Sequence, residues 1–176
     1  MQTGRLCPSR LSPAVVLTLG LDSTGRAGFA GVMEALLAGL QQLLDEGLVS
    51  AGELARAVVP TVGRTRKEFL APFAPSGRFE GLAVEHIELF DAEDRFWARY
   101  CADRDAGGFG ARWAGFLRAA AFPTLATALD GGGGDARSAA VLRRLQSEVA
   151  ARLAAAPEPM SIPLATLVLA KAPRSA

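Results

Sequence analysis

Histidine and cysteine are almost missing from this 176-residue sequence: His86 stands alone, and the two cysteines, Cys7 and Cys101, lie far apart. A structural zinc site needs Cys and His ligands at close spacing, and a disulfide framework needs an even set of cysteines in a small chain, so neither is indicated. Two separated thiols fit a reducing cytosol, and a cytoplasmic protein is expected. An excess of charge of either sign is lacking too. With 19 Lys and Arg against 18 Asp and Glu, no basic stripe is available to neutralise a phosphate backbone, which argues against a nucleic-acid partner. Long apolar runs are absent, none reaching the roughly 20 residues that span a bilayer, so no membrane partner is expected. Arg5 and Arg10 ahead of the run Leu11–Leu21 imitate a secretory signal, but Pro13 and Gly20 interrupt it and no small-residue cleavage site follows.

What is present is globular in composition, half hydrophobic and 21% charged, and the length suits one domain over residues 1–176. Ala14-Val15-Val16-Leu17-Thr18-Leu19 is short, apolar and β-branched, the pattern of a strand buried on both faces. From Gly28 the period becomes helical, with Phe29, Val32, Met33, Leu36, Leu40, Leu43 and Leu44 on one broad face and Gly47 as the stop. Ser50 with Glu53, and Thr65 with Glu68, each stand three apart at the head of a short helix. In such a capping box each side chain satisfies a free N–H at the other residue.

Residues Phe79 to Phe90 alternate imperfectly and read as a second strand. Asp91 is placed to cap the next helix, which carries Phe96, Trp97 and Tyr100. A long helix from about Phe109 to Leu129 follows, with Pro123 expected to kink or end it. Gly131 to Gly134 make a flexible break, and Asp135 opens a helix to about Ala155 whose buried stripe is Val141, Leu145, Val149 and Leu153. Leu164–Ala170 closes the chain as a third strand. Three strands make a thin sheet for so many helices, so its missing neighbours must come from another chain, a paired copy or sequence not present.

One family resemblance gathers these features. Leu44-Asp45-Glu46-Gly47-Leu48-Val49-Ser50, then Pro60, Arg64-Thr65 with Glu68, Gly77-Arg78-Phe79, Val84-Glu85-His86-Ile87-Glu88-Leu89-Phe90, Gly108-Phe109-Gly110 and the last strand with Lys171 occur in one order. That order resembles the C-terminal half of the salicylate-type carboxyl methyltransferases, which depend on S-adenosylmethionine, and it covers the chain from about Ala14 onwards. The resemblance implies an α/β fold: the C-terminal part of a doubly wound methyltransferase sheet, its last three strands, with helical cap segments. Ala14–Leu19 is similar to the fifth strand, Leu82–Leu89 to the sixth and Leu164–Ala170 to the seventh, which inserts antiparallel beside them. The glycine-rich turn and acidic residue that hold S-adenosylmethionine in that family belong to earlier strands, and no match to them is found. Residues 1–13 are therefore expected to be an altered or disordered N-terminus.

The implied reaction is methyl transfer to a small-molecule carboxylate acceptor. Its oxygen is ionised at neutral pH, so alignment and exclusion of water replace a general base. The resemblance places Phe29, Met33, Phe96, Trp97, Tyr100, Met160 and Ser161 around the acceptor. It assigns no catalytic, cofactor-binding or metal-binding residue to this chain, which is expected to be inactive alone. From the residues alone, Phe96, Trp97 and Tyr100 read first as core packing, and the spacing of Phe29 and Met33 is equally that of core residues. The competing reading is a non-catalytic helical interaction module or a homodimer, associating through helix faces or through an exposed Ala14–Leu19 edge.

Three tempting motifs have plainer readings. Asp130-Gly131-Gly132-Gly133-Gly134-Asp135 follows a helix and is acidic at both ends, unlike a phosphate loop, and reads as a linker. His86 has no identifiable partner and reads as a partly buried strand residue. Glu85 and Glu88 have opposite parity, which sends them to opposite faces of a strand and prevents paired acid–base work.

Overall fold

The computed structural model describes residues 13–59, 61–74, 76–132 and 134–171; most of the expected N-terminal segment, residues 1–12, lies outside the described residues. The chain is mixed α/β with a three-stranded antiparallel sheet. Its internal contacts group it into two compact units, each discontinuous in sequence. One comprises Met1–Arg26, Val62–Asp91 and Pro163–Ala176; the other comprises Ala27–Thr61 and Ala92–Ile162.

The first unit holds the sheet, formed by β1 (Ala14–Leu19), β2 (Leu82–Asp91) and β3 (Pro163–Lys171). The order is β1-β3-β2, with β3 antiparallel to both neighbours. The register explains why the alternation of β2 looked impure. Val84 pairs with Leu169, but His86 pairs with Val168, so Glu85 is an extra residue in a β-bulge. The bulge reverses parity midway. Val84, Ile87 and Leu89 thereby share a face with Ala165, Leu167 and Leu169, and helix α3 (Arg66–Leu70) supplies Phe69 and Leu70 to the same small core. Thr65 and Glu68 form the expected capping box at the start of α3, and a 3-10 turn, Ala71–Phe73, continues it.

Two expectations for this unit are corrected. Ala14–Leu19 is a strand as expected, but it is not buried on both faces: Val15 is 68% and Leu17 62% exposed. The reason is that the buried cluster of this sheet is built from β2, β3 and α3 without a β1 side chain, and β1 is also an edge strand, paired with β3 alone among the described residues. His86 is exposed rather than partly buried, its side chain 59% accessible. It lies beside Glu88, Nε2 to Oε2 3.7 Å, on the face opposite Ile87. Glu85 belongs to the bulge, outside the strand's alternation.

The second unit is helical. It contains α1 (Ala30–Asp45), α2 (Ala51–Arg56), α4 (Arg95–Asp103), α5 (Ala106–Ala120), α6 (Phe122–Ala128) and α7 (Ala136–Ala155). Val32, Leu36, Leu40 and Leu43 of α1 meet Val141, Leu145, Val149 and Leu153 of α7 in one core, as helical periodicity predicts. Helices α5 and α7 approach closely at Gly110. A Cβ there would collide with the Ala150 carbonyl oxygen and lie 3.0 Å from the Ala154 nitrogen.

The long helix expected to Leu129 is two helices. Pro123 has no N–H to give to the α5 ladder and instead occupies the first turn of α6, where none is needed. The cap of α4 is Asp94, not Asp91: Asp94 Oδ1 accepts from Phe96 N at 3.0 Å and Trp97 N at 2.9 Å, while Asp91 ends β2. The glycine run is also not a free linker. Gly131 and Gly132 take left-handed φ of 92° and 70°, and Glu53 Oε1 accepts from Asp130 N at 2.8 Å. A carboxylate 77 residues away thus holds the turn.

Candidate functional site: an aromatic cluster around Trp113

The start of α1 is built on an unusual residue. Phe29 caps it with φ 65° and ψ 22°, a left-handed conformation costing a bulky residue on the order of 1–3 kcal/mol. Its surroundings hold it there. Phe29 N donates to Ser161 O at 3.0 Å, and Phe29 O accepts from Met33 N at 2.9 Å. The ring stacks on Phe116 at 5.4 Å and meets Trp113 edge-on at 6.0 Å.

Trp113 is the centre of the cluster. It is 2% exposed, and Phe96 packs on it at 5.0 Å with an interplanar angle of 85°. Trp97 lies 5.3 Å from Tyr100 and 6.2 Å from Phe109, and Tyr100 lies 5.6 Å from Phe109. Edge-to-face pairs of this kind add about 0.5–1.5 kcal/mol each beyond their buried area. Arg104 sits 5.7 Å over the Tyr100 ring, a cation–π contact at the rim. Met160 is buried against the beginning of α1: a Cβ on Gly31 would come within 3.0 Å of its Cε. Met33 packs against the same core.

Asp94 ties two of these segments together. Its Oδ1 caps α4, and its Oδ2 accepts from Met160 N at 2.9 Å. The seven residues that the resemblance implies for the acceptor, Phe29, Met33, Phe96, Trp97, Tyr100, Met160 and Ser161, all lie in this unit. They also do core work there, since Phe29, Met33, Phe96, Trp97 and Tyr100 pack against the principal core and Met160 belongs to it. Sequence reading passed over Asp94, Phe109, Trp113 and Phe116 as site residues. The signal for Asp94 was present, because a carboxylate two and three residues before Phe96 and Trp97 is a cap. The signal for Trp113 was not, because its partners are distant in sequence.

The cluster is largely apolar, and its central rings are buried, Phe109 0% and Trp113 2% exposed. Both Asp94 oxygens are engaged, and His86 belongs to the other unit. The Trp113 indole Nε1 is buried without a hydrogen-bond partner among the described residues. Among the described residues, no group of three or more His, Cys, Asp or Glu side chains is placed to hold a metal, and no helix is long and apolar enough to cross a membrane. No protein-family model and no curated protein matches the chain.

The glycine run is not built as a cofactor-binding turn. It follows α6 rather than a strand, Asp130 N is taken by Glu53, and Asp135 Oδ2 already accepts from Ser138 N at 3.2 Å.

Proposed function

We propose that the chain is the acceptor-side portion of an S-adenosylmethionine-dependent carboxyl methyltransferase of the salicylate-type family, inactive without a donor-binding half. One observation carries the reading. The segments that follow β1 and β2, and the segment that precedes β3, supply Phe29 and Met33, then Phe96, Trp97 and Tyr100, then Met160 and Ser161: Phe29 and Phe96 pack on Trp113, Trp97 and Tyr100 pack on Phe109, Ser161 O accepts from Phe29 N, and Met33 and Met160 share the same core. The sheet gives independent support, because β3 lies antiparallel between β1 and β2, the arrangement the resemblance requires of a seventh strand beside a fifth and sixth. The chain's part is to pack an aromatic or apolar acceptor on this cluster, exclude water and fix the carboxylate for attack.

The test is a methyl-ester screen over aromatic and aliphatic carboxylic acids. It compares the 176-residue chain with a polypeptide extended through the upstream coding sequence. Ester formation by the extended protein alone is expected, with calorimetric binding of S-adenosylmethionine to that protein only. Micromolar donor binding by the 176-residue chain would overturn the division of labour, and no donor binding by the extended protein would overturn the methyltransferase reading.

The alternative, a non-catalytic association module or homodimer, is favoured by the uncovered Val15 and Leu17 of β1. Exposed apolar edge strands pair with other chains. Light scattering at increasing concentration distinguishes it, since a stable dimer without any methyl transfer supports that reading alone.

A further inference from the structure

The sheet-bearing unit contains a groove that the acceptor reading does not use. It lies against α3, the 3-10 turn and β2, and its volume is about 860 Å³, inside the roughly 300–1,000 Å³ range of small-molecule sites. Leu70, Phe73, Ala74 and Val84 line it together with Arg66 and Lys67, and no carboxylate does. Arg66 Nη1 donates to Ile87 O at 2.8 Å, which anchors the guanidinium on β2. Neither Arg66 nor Lys67 has a carboxylate partner among the described residues.

An apolar wall with two uncompensated cations selects its ligand. A neutral hydrocarbon would leave both cations unused, and a cationic amphiphile would be repelled. A polyanion without an apolar body would make no use of Leu70, Phe73 and Val84. We propose that this groove binds an amphipathic carboxylic acid, its acyl or aryl body against Leu70, Phe73 and Val84 and its carboxylate beside Arg66 and Lys67. The cations are exposed, so they supply selectivity over a base of apolar contact rather than most of the affinity. The groove lies wholly in the first unit, and the proposal does not depend on methyl transfer.

The experiment is calorimetry and methyl-resolved NMR on the 176-residue chain with octanoate, octanol and octyltrimethylammonium. Octanoate saturates a single site and shifts the Leu70 and Val84 methyls, octanol binds about tenfold more weakly, and octyltrimethylammonium does not bind, as charge-assisted recognition requires. Lys67→Gln narrows the octanoate-to-octanol preference, and Ala74→Trp, which fills the groove, removes octanoate binding while circular dichroism stays unchanged. If Ala74→Trp fails to fold, the methyl map of the unaltered chain decides. Equal binding of octanoate and octanol, or no binding, overturns the proposal. So does a map confined to Val15 and Leu17 of β1, or to the Trp97 and Trp113 indoles. This last outcome would leave the acceptor reading standing while removing the groove, whereas octanoate at Leu70 and Val84 with no methyl-ester formation by the extended protein would do the reverse.

Discussion

Replacing Glu53 by Gln tests how the helical unit is held. Glu53 is 1% exposed, and its carboxylate accepts four hydrogen bonds: from Ser50 N and Asp130 N at 2.8 Å each, and from Arg137 Nη1 at 2.6 Å and Nη2 at 3.0 Å. Gln keeps one acceptor oxygen and turns an amide donor toward another donor. Hydrogen bonds to a charged group are worth about 1.5–3 kcal/mol each, and breaking a buried pair about 3–5 kcal/mol. The Arg137 side chain is 45% exposed, so water relieves part of the loss and about 3 kcal/mol is expected. At about 2–4 °C per kcal/mol for a domain of this size, Tm falls by about 6–12 °C. The decisive assay is a double-mutant cycle in urea with Glu53→Gln, Arg137→Met and the pair, for which the coupling should reach about 1.5 kcal/mol or more. The pH dependence carries the same signature. The Arg137 guanidinium, then the Ser50 N–H, hold the Glu53 carboxyl well below its ordinary 4.5. The unfolded chain therefore takes up the proton first. The contribution is complete above pH 4.5, declines as pH falls below it, and is missing from the Gln variant. A coupling under about 0.5 kcal/mol, with an unchanged acid limb, would refute the reasoning.

Two glycines of α5 should respond oppositely to the same substitution. Gly110→Ala places a methyl against the Ala150 carbonyl of α7 and should cost about 2 kcal/mol or more in urea unfolding, whereas Gly115→Ala meets nothing within 4 Å and should gain about 0.5–1 kcal/mol. Asp94→Ala removes the cap of α4 and the acceptor of Met160 N; a loss of about 1–2 kcal/mol is expected, with a red shift of indole fluorescence as Trp97 and Trp113 loosen. An unchanged emission maximum would count against Asp94 as the tie between those segments.

The legible features were those whose physics is local. Both capping boxes need only residues three apart, and the α7 stripe Val141, Leu145, Val149 and Leu153 needs only a period. The bulge at Glu85 was hidden because an extra residue announces itself only against a partner, here β3, far along the chain. It was visible indirectly as spoiled alternation, which read as a weak strand rather than as two clean halves in opposite phase. Asp91 and Asp94 are both credible caps by type. Only the extent of β2, fixed by its pairing with β3 as far as Pro163, removes Asp91 from contention.

The Trp113 cluster shows a different limit. Composition and spacing could not separate acceptor surface from core, and the structure shows that the core role is real for most of the seven residues. The backbone at Phe29 offers a way to separate the two roles. A left-handed phenylalanine is retained where Gly or Asn would relieve the strain, while its N–H reaches Ser161 and its ring stacks on Phe116. Those hydrogen bonds and the ring packing offset the strain. Phe29→Gly therefore separates the two roles: it relaxes the backbone and removes the plane. If the ring serves acceptor packing, methyl-ester formation by the extended protein should fall by more than tenfold, while stability changes by only about 1–2 kcal/mol, strain relief opposing the lost stacking. If stability collapses and the remaining folded protein methylates normally, the ring is core alone and the acceptor surface must be sought elsewhere.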